Sequence, residues 1–164
     1  MKATASKTSR VETLVGDLAG LDGFEHEALG LFVPSDVRPL RGVAGFVDWR
    51  CDGALSRTLL SKTFVGRENE VLLAPTRGRL GPRRFFLFGI GPAKSCNSDR
   101  LRAACLNALS VLQKAGVDPV VLAAPSGPDG DNLEERFIAV TSSLGRDKIE
   151  LVLVSPAPSA PLHP

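Results

Sequence analysis

The chain has 164 residues, 43% apolar and 23% charged, the size and balance of one folded domain able to bury its own core. Its 20 Lys and Arg stand against 18 Asp and Glu, which excludes a strong overall field toward nucleic acid or a membrane surface. Three cysteines, Cys51, Cys96 and Cys105, show no paired spacing, and the only histidines are His26 and His163. The sequence therefore offers neither a disulfide framework nor a His-based metal site, and the cysteines read as buried thiols of a reducing compartment.

Residues 1–10 are polar and lack the apolar stretch of a secretory signal, so disorder is expected there. Residues 11–23 suit an opening strand or a short helix interrupted by Gly16 and Gly20. The apolar run 27–33 before Pro34 reads as a strand, and residues 35–45, punctuated by Pro39, Gly42 and Gly45, as a loop. Leu55, Leu59 and Leu60, extended by Ala54 and Phe64, predict one helix over about 47–62. Residues 69–75 form a strand, and RGRLGP a hairpin-like connection into a strand over 83–91 that is apolar on both faces, as in parallel sheets.

The clearest helix follows, with Ser98 as N-cap and Asp99 in its first turn. Leu101, Ala104, Cys105, Ala108, Leu109 and Leu112 repeat at spacings of three and four along one face, and Gly116 occupies a C-cap position. A buried strand over 118–125, a turn-rich loop, a helix over 133–145 and a strand over 148–156 complete the pattern. The tail, 157–164, is Pro-rich and cannot extend a sheet. Strand, helix, strand, helix, strand over 83–156 implies parallel strands with right-handed crossovers. The expected fold class is α/β: a three-layer α/β/α sandwich whose sheet is mixed because its early strands are joined by short turns. No apolar run is long enough to cross a bilayer, so no membrane association and a cytoplasmic location are expected.

Three stretches, RPLRGVAGFVDWRCDGALSRTLLSKTFVGRENEVLLAP, RRFFLFGIGPAKSCNSDRLRAACLNALSVLQKAGVDPVVLAAP and the closing helix and strand, resemble in order and spacing the N-terminal domain of the leucyl aminopeptidases. The resemblance covers about residues 28–156 and implies a macro-domain-like fold. It also implies a role in assembly, since that domain helps form the family's oligomers. The family's two-zinc chemistry belongs to a C-terminal domain with a signature of the NTDAEGR type, and no such stretch occurs here. Two-metal hydrolysis needs clustered carboxylates, whereas the acidic residues of this chain are scattered. The resemblance therefore implies no metal, no cofactor and no peptidase activity.

The layout also resembles macro domains, which wrap the diphosphate of ADP-ribose with a Gly-rich loop after a late strand. The matching loop is Ser126, Gly127, Pro128, Asp129 and Gly130, whose backbone N–H groups can cradle phosphate. Pro128 removes one of those donors and Asp129 adds a negative charge. The glycines Gly42, Gly45 and Gly53 match a second macro-domain segment, but its paired asparagines are missing, so the resemblance does not carry ADP-ribose hydrolysis.

The candidate site residues are these loops together with the corner Asp48, Trp49, Arg50 and the strand exit Gly89 and Gly91. Trp49 offers a stacking face and Arg50 a phosphate contact; alternatively Asp48 caps a helix, Trp49 fills the core edge and Arg50 pairs with a carboxylate. Gly89 and Gly91 permit close backbone approach to a ligand, or merely a tight exit into the next helix. Arg77, Arg79, Arg83 and Arg84 offer phosphate contacts for nucleic acid or a solvated hairpin. No serine or cysteine has a nucleophile setting. The leading expectation is a non-catalytic module that self-associates or binds a protein partner; a macro-type nucleotide binder and, less favoured, a nucleic-acid binder are the alternatives.

Overall fold

The computed structural model describes residues 11–156; the predicted disordered start (1–10) and Pro-rich tail (157–164) lie outside the described residues. Six strands form one sheet: β1 (Glu12–Val15), β2 (Ala28–Val33), β3 (Val71–Pro75), β4 (Arg84–Gly89), β5 (Val121–Ala123) and β6 (Leu151–Val154). Their spatial order is β1-β6-β5-β2-β4-β3. Every pairing is parallel except β3 with β4, which are joined by the predicted hairpin. The sheet is thus mixed as expected, but the reason is narrower. Only β3 runs backwards, and the early strands β1 and β2 are parallel members.

The helices are α1 (Leu18–Asp22), α2 (Gly42–Arg50), α3 (Ala54–Leu60), α4 (Ser98–Lys114) and α5 (Leu133–Leu144). Strand β2 explains the three layers. All six of its residues are buried. Leu29, Leu31 and Val33 enter a core shared with Val43, Val47 and Leu55 of α2 and α3. Ala28 and Phe32 enter the opposite core, shared with Leu101, Leu112 and Phe137 of α4 and α5. A strand apolar on both faces is what a sheet covered on both sides requires. Each fully buried Leu or Phe contributes about 1.5–3 kcal/mol through apolar burial.

On α4 the sequence stripe is reproduced, with Leu101, Cys105, Ala108 and Leu112 buried and Ala104 and Leu109 partly so. The N-cap is Asn97 rather than Ser98: its side chain accepts from the Arg100 amide at 2.9 Å, one residue earlier than expected. Helix α5 stops at Leu144, with Gly145 as its cap residue. Residues 11–23, read as strand or helix, hold both, β1 and then α1.

Two further expectations are corrected between residues 35 and 62. The loop ends at Arg41, since α2 begins at Gly42. The single predicted helix is two, because Asp52 (φ 56°) and Gly53 (φ 73°) take left-handed backbone between them. Leu55 and Leu59 are buried, but Leu60 is 81% exposed and Phe64 reaches the same core from beyond the helix.

Candidate functional site

Strand β5 leads to α5 on one face of the sheet and its neighbour β2 leads to α2 on the other. Crevices form beyond the carboxyl ends of strands at such reversals. A cavity of about 530 Å³ opens here, where the loop after β5 meets the start of α2 and the end of β6. Of the predicted residues it brings together Gly42, Ser126, Gly127 and Gly130. Gly42 has φ +58°, and a Cβ there would collide with the Ser126 and Ser155 hydroxyls. The two hydroxyls therefore sit directly against the start of α2, where an anion would otherwise meet backbone N–H groups.

The cavity is acidic. Asp129, Asp131 and Glu134 line it, with Arg41 as the cation, and Arg41 pairs with Asp129. Glu134 Oε2 accepts from the Ser155 amide at 3.0 Å and from its hydroxyl at 2.7 Å, and Ser155 Oγ lies 3.1 Å from Ser126 Oγ. Asp131, just before the Asn132 cap position of α5, accepts from the Leu133 amide at 2.6 Å and pairs with Arg136. This wiring places one carboxylate against one hydroxyl, Glu134 on Ser155, and Ser126 reaches Glu134 only through Ser155. Sequence reasoning missed Ser155 and Glu134, since nothing in their local pattern links residues 134 and 155 to the loop at 126.

The Asp48–Trp49–Arg50 corner divides by residue. Asp48 Oδ1 accepts from the amides of Leu55 and Ser56 at 2.9 and 3.0 Å, so it caps α3 across the break. Arg50 pairs with Asp22 at 2.6 Å. Trp49, offered as an edge of the core, is instead 68% exposed. With Leu18, Leu40 and Phe46 it borders a shallow, open concavity of about 420 Å³ that also takes in Gly42 and Gly45. A second concavity beside it joins Trp49 to Gly45, Asp48 and Gly53.

Gly89 and Gly91 do not line the acidic cavity. A Cβ at Gly89 would collide with the Arg67 carbonyl, and the Gly91 amide donates to Gly66 O at 2.8 Å. The close approach they permit is made by the chain's own 66–68 segment. The arginine cluster is also split. Arg84 pairs with Glu27 at 2.8 Å and lies over the Phe86 ring, on the α4 side of the sheet. Arg77 and Arg79 instead line a concavity beside α3.

All three cysteines are buried free thiols. Burial pushes each thiol's pKa up, that of Cys105 to about 12. Among the described residues no group of three or more His, Cys, Asp or Glu side chains could hold a metal ion, and no helix is long and apolar enough to cross a membrane.

A six-stranded mixed sheet between two helical layers, with a cleft at the carboxyl ends of its central strands, defines a macro-like α/β domain. An Oceanobacillus iheyensis macrodomain with ADP superposes with a TM-score of 0.61 at 14% identity, covering 88% of this chain and 83% of that one. A Trypanosoma brucei macrodomain in complex with ADP-ribose gives 0.60 at 18% identity, covering 88% and 62%. A mutant tomato leucine aminopeptidase gives 0.62 at 12% identity, covering 98% of this chain and 35% of that one.

The chain belongs to the cytosol aminopeptidase family: the profile of that family's N-terminal domain matches residues 28–147. A probable cytosol aminopeptidase of Geobacter sulfurreducens is 28% identical over 116 residues, 71% of this chain and 23% of the relative. One of Geotalea uraniireducens is 38% identical over 71 residues, 43% of this chain and 14% of the relative. The chain thus spans less than a quarter of the length of these relatives.

Proposed function

We propose that this domain is a non-catalytic interaction module, acting in the cytosol, that meets a protein partner, a second copy of itself first among them, through the apolar surface around Trp49. The observation that carries the reading is the 68% exposure of that indole beside the half-buried Leu18, Leu40 and Phe46. Grouped apolar side chains open to water mark contact surfaces, whereas scattered single ones do not. Trp is enriched among the few residues that carry most of the energy at such contacts. The wiring of the cleft supports the non-catalytic part, because each of its carboxylates is engaged: Glu134 by the Ser155 amide and hydroxyl, Asp131 by the Leu133 amide and Asp129 by Arg41. Sedimentation of the wild-type chain tests the reading. A concentration-dependent dimer or larger species that Trp49→Ser abolishes is expected. A strict monomer that captures no partner refutes it.

The second reading, a macro-type binder of ADP-ribose or a related nucleotide, draws on the position of the 126–130 loop and on the ADP and ADP-ribose named for the two macrodomains above. The three carboxylates of the cleft work against a diphosphate there by like-charge repulsion. A thermal-shift series with ADP-ribose, ADP and AMP tests it. Stabilisation that grows with ligand concentration would favour it, and no response at any concentration removes it.

A further inference from the structure

A concavity of about 620 Å³ lies between α3 and the β3–β4 hairpin. Strand β3 is antiparallel to β4 and enters this hairpin at Pro75. The concavity is therefore at the end of the sheet opposite the acidic cleft. Three guanidinium-bearing residues line it: Arg57 from α3, and Arg77 and Arg79 from the hairpin. None of the three forms an ion pair among the described residues. The one carboxylate in the lining belongs to Asp52, whose backbone carbonyl, not its side chain, accepts from Arg57. The floor is apolar, made by Phe85 and Cys51, 3% and 7% exposed. Burial and Asp48 push the Cys51 thiol up, against the opposing charges of Arg79 and Arg50.

The hairpin holds two of these arginines by an unusual route. Arg77 and Gly78 have φ of 54° and 74°, and the Arg79 amide closes the turn onto Thr76 O at 3.1 Å. Positive φ at two successive turn positions favours Asn-Gly. An arginine in the first position costs conformational energy that asparagine would avoid, yet it puts a third positive charge on the rim.

We propose that this concavity binds a small organic phosphate, its phosphoryl group held by Arg57, Arg77 and Arg79 and its organic part resting on Phe85 and Cys51. Three guanidinium forks from two separate segments match the terminal oxygens of a phosphoryl dianion better than the two oxygens of a carboxylate. The unpaired positive rim attracts the anion, and the apolar floor makes a bare inorganic ion the poorer ligand.

The test is a titration of the isotope-labelled chain with phenyl phosphate at low ionic strength, followed by backbone amide shifts. Saturable shifts at Arg57, Ser61, Gly78 and Phe85 are expected, weakening as salt is raised. Inorganic phosphate should bind at the same amides more weakly, benzoate at least about tenfold more weakly than phenyl phosphate, and phenol not at all. Arg79→Gln should lower affinity about tenfold, the loss of one charge-assisted contact. Arg77→Asn should do the same while holding or raising the melting temperature, since asparagine suits the turn. That variant keeps the test decisive if Arg79→Gln folds poorly. No saturable shift at these amides, unchanged affinity in Arg77→Asn, or benzoate binding as tightly as phenyl phosphate overturns the proposal. So does binding of a single-stranded oligonucleotide by a chain that ignores both small phosphates.

Discussion

Asp48 Oδ1 accepts a hydrogen bond from the Leu55 amide at 2.9 Å, across the break that separates α2 from α3. The Ser56 amide and hydroxyl donate to the same carboxylate. One side chain at the end of the first helix therefore caps the second and sets the angle between them. Asp48→Ala should destabilise the domain by about 1–2 kcal/mol, the upper range for loss of a cap. Asp48→Asn keeps an acceptor and should cost less than half of that. Denaturant unfolding of both variants checks the ordering; equal losses would mean that the negative charge, which asparagine lacks, and not a single acceptor oxygen, holds the break.

Trp49 lies one residue further along the same helix and points the other way, into solvent. Removing an exposed side chain that makes no cap or core contact changes stability by no more than about 0.5 kcal/mol. Trp49→Ser should therefore unfold at the same denaturant concentration as wild type while losing self-association. Unfolding midpoints measured on dilute monomer, beside sedimentation at high concentration, separate the two effects. A large loss of stability in the monomer would return Trp49 to the core.

The strands and the two long helices were legible in the sequence because burial on both faces of a sheet forces near-continuous apolar runs, as in LGLFV and FFLF, and α4 must repeat at helical spacing. The break at Asp52–Gly53 was not, because Leu55 and Leu59 keep helical spacing on either reading, and a left-handed aspartate leaves no mark on apolar periodicity. Trp49 stayed open between a stacking face and a core edge for a related reason. An indole beside a helix break fits a core edge as well as a surface, and only the fold decides which. The cleft was half legible: the glycines and Ser126 stand in a recognisable loop, whereas Ser155 and Glu134 join it through contacts 21 residues apart in the chain. Arg57 lies 20 positions before Arg77, and only the packing of α3 against the hairpin brings them to one concavity.

Gly42 meets Ser126 and Ser155 so closely that no Cβ fits between them. Gly42→Ala places an alanine in left-handed backbone, at about 1–2 kcal/mol, and adds a steric clash with both hydroxyls. Ser126→Ala removes one of the clashing oxygens and leaves Ser155 its bonds to Glu134. The double variant should then lose less stability than the two single losses added together, a coupling on the order of 0.5–3 kcal/mol for residues in contact. A double-mutant cycle by denaturant unfolding measures it. Strict additivity would mean that the backbone strain of Gly42, and not the hydroxyl contact, dominates at this end of the cleft.

Cys105 sits in the α4 stripe at 0% exposure, and burial holds its pKa at about 12, with lesser pushes from Cys96 upward and Arg102 downward. An unfolded chain ionises this thiol near an ordinary value of about 8.5. Between those values the unfolded state releases a proton that the folded state keeps, so the unfolded state binds fewer protons and stability falls as pH rises. The contribution is complete below the unfolded value and gone above the folded one. Cys51 and Cys96 shift in the same direction and steepen the same limb. Cys105→Ala removes one thiol from the balance, so its loss of stability between about pH 9 and pH 11 should be shallower than that of wild type, even though the smaller side chain lowers stability throughout. Urea unfolding across that interval measures both slopes. Parallel curves would show that the Cys105 thiol ionises as readily in the folded domain as in the unfolded chain, which a side chain sealed between α4 and the sheet should not permit.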